Sequence, residues 1–201
     1  MRQAIQDALS GVHDVKRPAT ARAPTVLRDL ADLRKAFHAL EVSPDRQGRG
    51  YELEKLVARL IKISLGNCHP SYRTKQVWAD GSIAQIDAAF CHLDTQYFRV
   101  ETKWKSEPIE PADIVLFRDK LEVVGVGGLF ISVNGFTPEA IAKAAALRSE
   151  REILLMDGEE LKIILNDCPS FDEALRSKRQ HFFVNSNPYH RVKPFPQDET
   201  V

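Results

Sequence analysis

Residues 85–104 constrain this chain more than any other stretch, because they read as two alternating strands joined by a tight turn, with their charged residues on one face. Successive strand side chains point to opposite faces, so residues two apart share a face and lie ~6.6 Å from each other. In 97–104, Phe98, Val100 and Trp104 fall on one face and Glu101 and Lys103 on the other. Residues 83–90, Ile-Ala-Gln-Ile-Asp-Ala-Ala-Phe, are equally strand-like, and His92-Leu93-Asp94-Thr95-Gln96 suits a hairpin turn. A turn centred on Asp94 leaves Asp87 and Glu101 seven residues away on either side, so they oppose one another across the pair.

Two carboxylates converging on one sheet face repel unless a cation sits between them. Mg²⁺ fits, as a hard ion that prefers oxygen ligands and keeps several waters, with Mn²⁺ able to take its place. Lys103 then lies beside the metal, where its ammonium can orient an attacking water or stabilise charge on a phosphate. That is chemistry for cutting a phosphodiester. An Asp, Glu and Lys alternating on a strand can equally be a solvated face with a cross-strand ion pair, and the residues alone leave both readings open.

Residues 49–63 form an amphipathic helix, with Leu53, Leu56, Val57, Leu60 and Ile61 at helical spacing. Its two glutamates differ. Glu52 shares the polar stripe with Lys55 and Arg59, whereas Glu54 sits with Val57, Ala58 and Ile61 and faces inward. An inward carboxylate needs a partner, and a bound cation or its water is one; pairing with a nearby base, or snorkelling to solvent, is another.

The succession Gly50-Tyr51-Glu52-Leu53-Glu54, Gln85-Ile86-Asp87, Val100-Glu101-Thr102-Lys103, then residues 128–137 leading into an Ala-rich helix, resembles the restriction-endonuclease-like (PD-(D/E)xK) superfamily and, within it, the Mrr-like group of nucleases. The resemblance spans about residues 50–165. It implies Glu54, Asp87, Glu101 and Lys103 as the catalytic set, with Asp87, Glu101 and Glu54 at the metal. Where the family often has Gly-Ile-Asp this chain has Gln85, carried over as an accessory residue. The resemblance also implies an α/β fold, a mixed central sheet flanked by helices with an αβββαβ core, and a setting in defence against foreign DNA.

The remaining pattern agrees with that order. Residues 74–78 are the weakest strand; 111–124 read as a helix with Ile114, Phe117, Leu121 and Val124 on one side, ended by Gly125-Val126-Gly127-Gly128. Residues 129–133 form a short buried strand, Thr137 N-caps a helix with Pro138 at its first position, and 153–156 form a last core strand closed by Asp157-Gly158. The expected organisation is a helical extension over 1–48 with Val26, Leu30, Leu33, Phe37 and Leu40 on one stripe, a nuclease core over 49–166, and a C-terminal helix and tail over 167–201. Ser170 has capping-box spacing for a helix to about Gln180, and Pro188, Pro194 and Pro196 suggest an extended end.

Composition bounds the partners. The 28 basic residues balance 28 acidic ones, so any grip on DNA is local rather than a whole-molecule field. Arg59, Lys62, Arg73 and Lys75 form one acid-free stretch, and Arg176, Lys178, Arg179, Arg191 and Lys193 another, interleaved with Phe182, Phe183 and Tyr189; those aromatics fit docking of the tail better than base stacking. The 3 cysteines are scattered, as in a reducing compartment, and the Cys68-His69 and Cys91-His92 pairs lack the spacing of structural zinc sites. No run approaches a membrane span and no secretory leader pattern opens the chain, which predicts a cytoplasmic protein. The expectation is a Mg²⁺-dependent DNA endonuclease, as a possible homodimer for double-strand cleavage, with targeting by loops or by an activating or targeting partner protein. A repair or recombination nuclease on branched DNA, and a non-catalytic nucleic-acid-binding protein of the same fold, are the alternatives.

Overall fold

A computed structural model of the chain describes residues 23–77, 83–122, 124–167 and 169–194, including their side chains except those of 71–77 and 83–84. Residues 1–22, Trp78, Cys168, Pro196 and the side chains of Arg73 and Lys75 therefore lie outside the description. Helices α1 (Pro24–Glu41) and α2 (Arg46–Leu65) precede three strands, β1 (His69–Val77), β2 (Ile83–His92) and β3 (Gln96–Lys103). Helix α3 (Pro111–Lys120), β4 (Gly127–Ser132), α4 (Pro138–Ala146), β5 (Ile153–Asp157), α5 (Gly158–Leu165) and α6 (Phe171–Asn185) follow. The sheet order is β1-β2-β3-β4-β5, antiparallel from β1 to β3 and parallel from β3 to β5. This is the mixed α/β sheet with the αβββαβ succession expected.

Strand alternation divides the interior into two cores. Ala88, Phe90, Phe98, Val100, Leu129, Ile131, Leu154 and Met156 turn towards α1, α2, α5 and α6, while Phe130, Ile153 and Leu155 turn towards α3 and α4. Every residue of β4 is buried, as befits a parallel strand covered on both faces. The apolar stripe of α2 is the one its sequence spells: Leu53, Leu56, Val57, Leu60 and Ile61 are all buried. In α1, Leu30, Leu33 and Phe37 join the same core, so this helix packs on the sheet's helical layer.

Several boundaries differ from expectation for identifiable reasons. Helix α3 stops at Lys120; Leu121 is still buried, but Val124 is 85% exposed rather than on the apolar side. Gly127 and Gly128 belong to β4 instead of ending α3, because a Cβ on Gly127 would meet the Phe98 ring at 2.5 Å and one on Gly128 the Phe117 ring at 2.6 Å. Strand β1 begins at His69, and its Pro70 is tolerated because β1 is an edge strand. Helix α5 was not foreseen, although Asp157 and Glu160 have capping-box spacing and close a reciprocal cap. Helix α6 starts at the expected Ser170 cap but runs five residues past Gln180, to Asn185.

Part of the basic tail is structural, which removes Lys178 and Arg179 from the cations free to grip phosphates. Lys178 is fully buried on α6 and donates to Glu160, at 2.7 and 2.9 Å, and to the carbonyls of Leu155 and His190, both at 2.7 Å. Arg179 pairs with Glu152, Arg176 with Asp172, and Arg191 with Asp157. The tail itself lies along β5: Leu155 N–H donates to the Pro188 carbonyl at 2.9 Å, and Val192 N–H to Glu160 at 3.0 Å. An otherwise open sheet edge is thereby covered. Phe182 docks as expected, whereas Phe183 is 65% exposed.

Removing one partner of a buried ion pair leaves the other charge stranded, which costs about 3–5 kcal/mol. Lys178→Met is expected to lose stability on that scale in urea denaturation, and adding Glu160→Gln to recover part of the loss. Gly158→Ala is expected to be destabilising as well, because its Cβ would lie 2.6 Å from the Val133 carbonyl oxygen, a backbone atom that cannot rotate away.

Candidate active site

The β2–β3 hairpin turns through Leu93 and Asp94, both at positive φ (55° and 56°), and Thr95 N–H donates to the His92 carbonyl at 3.3 Å. From there the ladder runs from His92 opposite Gln96 to Ala88 opposite Val100. One step further in the same register puts Asp87 opposite Glu101. At this point a side chain replaces the backbone rung: Thr102 donates its N–H (2.7 Å) and its hydroxyl (3.1 Å) to Asp87 Oδ2. β2 and β3 part here like a fork, while β3 stays paired with β4 as far as Lys103 opposite Ser132. β1 is irregular alongside, its register slipping between Arg73 and Val77.

Glu101, 3% exposed, lies at the base of the fork. Lys103 Nζ is 2.6 Å from its Oε1 and Lys120 Nζ 2.6 Å from its Oε2, both at the short end of charge-assisted hydrogen bonds. Lys120 ends α3, and its carbonyl accepts from the Arg99 guanidinium. Desolvation pulls the Lys103 ammonium down, but the Glu101 carboxylate more than reverses this, so the net shift is upward and Lys103 stays charged.

Glu54 reaches the same place from α2. Its carboxyl is pushed up from 4.5 to about 7, first by desolvation and then by the Asp87 charge, with Glu101 adding to the effect and Lys103 and Lys120 opposing it. Asp87 is likewise raised by desolvation and then by Glu101, against the Thr102 N–H bond and the same two lysines. Glu54, Asp87, Glu101 and Lys103 are therefore in mutual electrostatic reach. Gln85 lies exposed on β2, on the same face as Asp87. Behind the fork the Arg49 guanidinium sits 5.1 Å from the centroid of Trp104, whose ring stacks on Phe37 at 5.6 Å, fixing the chain just after Lys103. Sequence reasoning did not find Lys120, because it comes from another element with no motif spacing to the strand; Thr102 stood inside the motif without an assigned role.

Residues 46–165 match the Mrr_cat family of restriction endonucleases, a span covering more than half of the chain. The chain belongs to this restriction endonuclease family. No curated protein sequence matches it significantly. Two solved structures are similar at low identity. One is a protein of unknown function, AF1548, with 14% identity and a TM-score of 0.41 over 52% of this chain and 57% of that one. The other is the MspJI restriction endonuclease in complex with a 27-mer oligonucleotide, with 12% identity and a TM-score of 0.40 over 94% of this chain and 44% of that one. The chain thus spans about half the length of these two proteins.

Restriction endonucleases of this kind generally use divalent metal ions, and the donor chemistry of the fork suits one. All its anionic donors are hard carboxylate oxygens, and Glu54 and Asp87 are raised first by burial and then by a neighbouring carboxylate, a like charge that a cation would offset. Among the described residues, however, no three His, Cys, Asp or Glu side chains stand together as a finished metal cage, and both Glu101 oxygens are held by ammonium groups.

A carboxyl whose folded pKa lies above its unfolded value favours the folded state while protonated, and that contribution is lost as pH rises through the folded pKa. For Glu54 the window runs from about pH 4.5 to about 7. In metal-free buffer, Glu54→Gln is therefore expected to raise Tm relative to wild type at pH 8 and to change it little at pH 4.5. Thermal denaturation across this range checks the sign.

Proposed function

We propose that this protein is a metal-dependent DNA endonuclease that hydrolyses phosphodiester bonds and serves in defence against foreign DNA. The observation that carries the reading is the convergence of Asp87, Glu101 and Lys103 at the fork between β2 and β3, with Glu54 facing them from α2, in a chain of the restriction endonuclease family. Asp87 and Glu101 are the residues to hold Mg²⁺ or Mn²⁺, with Glu54 supporting it directly or through water. The ion supplies Lewis acidity, lowering the pKa of water and drawing charge from the phosphate.

The chain's own residues do the positioning. Thr102 fixes one Asp87 oxygen, so that the other is free to turn towards the cation. Lys103 is kept charged by Glu101 and is 37% exposed, so its ammonium can reach an incoming water or phosphate oxygen. Glu54, held up at about 7 in the metal-free site, would give up its proton as a divalent cation binds beside it. Each such site cuts one strand.

Purified protein is expected to nick supercoiled plasmid with Mg²⁺ or Mn²⁺ and not with EDTA. Lys103→Ala should lose about 10²-fold or more in rate, the scale on which a charge-stabilising group acts. Equal nicking by both proteins would defeat the proposal, as would metal-independent DNA binding without cleavage of duplex or single-stranded substrates.

A further inference from the structure

We propose that Lys120 is a substrate-binding residue, whose ammonium leaves Glu101 when a divalent cation arrives and takes an oxygen of the phosphodiester; the inference rests on the endonuclease reading above. The layering of charge is the first ground. The Glu101 side chain is 4% exposed, whereas Lys120 and Lys103 are 18% and 37% exposed, so an anion coming from solvent meets the two ammonium groups before the carboxylate.

The second ground is partnering. Other cations around the fork have carboxylates apart from the catalytic ones: Lys105 binds Asp113 at 2.7 and 2.8 Å, Arg118 binds Asp119 at 2.6 Å, and Arg99 lies 3.7 Å from Glu122. Among the described residues, the carboxylate paired with Lys120 is Glu101, which it shares with Lys103. Once a cation claims Glu101, Lys120 is left as a largely covered ammonium in need of an anion.

Charge balance is the third. Glu54, Asp87 and Glu101 supply three negative charges when ionised, and Lys103, Lys120 and a divalent ion supply four positive ones. The surplus matches the single charge of a phosphodiester; without Lys120 the loaded site would be neutral. Lys120 engages the opposite oxygen of Glu101 from Lys103 and arises from α3 instead of β3, so the two ammonium groups flank the carboxylate. Its flexible four-carbon stem allows the exchange of partner without movement of α3, whose end is pinned by the Arg99 bond to the Lys120 carbonyl and by buried Leu121.

The test compares wild type, Lys120→Met and Lys120→Arg for binding a short DNA duplex by fluorescence anisotropy, with Ca²⁺ in place of Mg²⁺ and again with EDTA, after thermal denaturation has shown all three folded. With Ca²⁺, Lys120→Met should bind about tenfold more weakly, and the slope of log K against log salt should fall by about 0.9, the loss of one phosphate contact. Lys120→Arg should restore most of the affinity. With EDTA, where Lys120 stays on Glu101, the Met penalty should shrink to about twofold or less. Equal penalties with and without Ca²⁺, or none with Ca²⁺, would overturn the inference while leaving wild-type cleavage to support the nuclease. A wild type that neither binds duplex with Ca²⁺ nor cuts plasmid with Mg²⁺ would overturn both.

Discussion

The bond between Thr102 and Asp87 is the constraint on which the candidate site depends. By placing a carboxylate where β2 would otherwise supply a backbone rung, it satisfies the Thr102 amide and lets the two strands separate without an orphaned donor. Beside this bond Glu101 receives Lys120 from α3, and α2 brings Glu54 within electrostatic reach. A buried carboxylate of this kind is unfavourable unless paired. Two ammonium groups from two different elements compensate it, so the site ties α3 to β3 at the same time as Phe117 packs on Phe130.

A second buried pair, Lys178 with Glu160, shows by contrast what a purely structural ion pair looks like in the same molecule. Both side chains are fully buried, Lys178 divides its donors between Glu160 and two backbone carbonyls, and Glu160 also accepts from Val192. Desolvation lowers the Lys178 ammonium and raises the Glu160 carboxyl, each opposed by the other's charge. Nothing from solvent reaches either group. At the fork, exposure rises from Glu101 through Lys120 to Lys103, and the carboxyls of Asp87 and Glu54 are raised partly by like charge. Like charge is present in both places, since Asp157 also raises Glu160, so graded access is the physical difference between a site open to exchange of partners and a closed joint.

Local periodicity made much of this legible. The alternation in β2 and β3 and the turn centred on Asp94 put Asp87 and Glu101 opposite one another, and the stripe on α2 turned Glu54 inward while Glu52 went to the surface with Lys55. What stayed hidden depends on tertiary neighbours. Gly127 and Gly128 read as a helix stop until the rings of Phe98 and Phe117 are in place to require bare backbone within a strand. Lys120 reads as an ordinary cation at a helix end, and only the packing of α3 on the sheet brings it to Glu101. Lys178 reads as surface charge because burying a lysine requires Glu160 and two carbonyls that the sequence gives no reason to bring together.

The zero formal net charge has a similar resolution. A count of basic residues treats Lys178 and Arg179 as equivalent to Lys55, Arg59 and Lys105, yet their availability to an anion is very different. Lys178 is fully buried, and Arg179, 19% exposed, is committed to Glu152. Lys55, Arg59 and Lys105 hold their carboxylates at the surface, with side chains 52%, 52% and 46% exposed. Exposed pairs of that kind contribute little to stability, so exchanging a carboxylate for a phosphate costs little. Under the endonuclease reading, the DNA-facing surface is then set by which cations can change partner. Lys55 and Arg59 lie on α2, the helix that carries Glu54, and Lys105 follows Lys103 by two residues. Arg176 and Arg191, 43% and 52% exposed in their own pairs, belong to the same open class, so burial and not residue type separates the structural cations from those open to exchange.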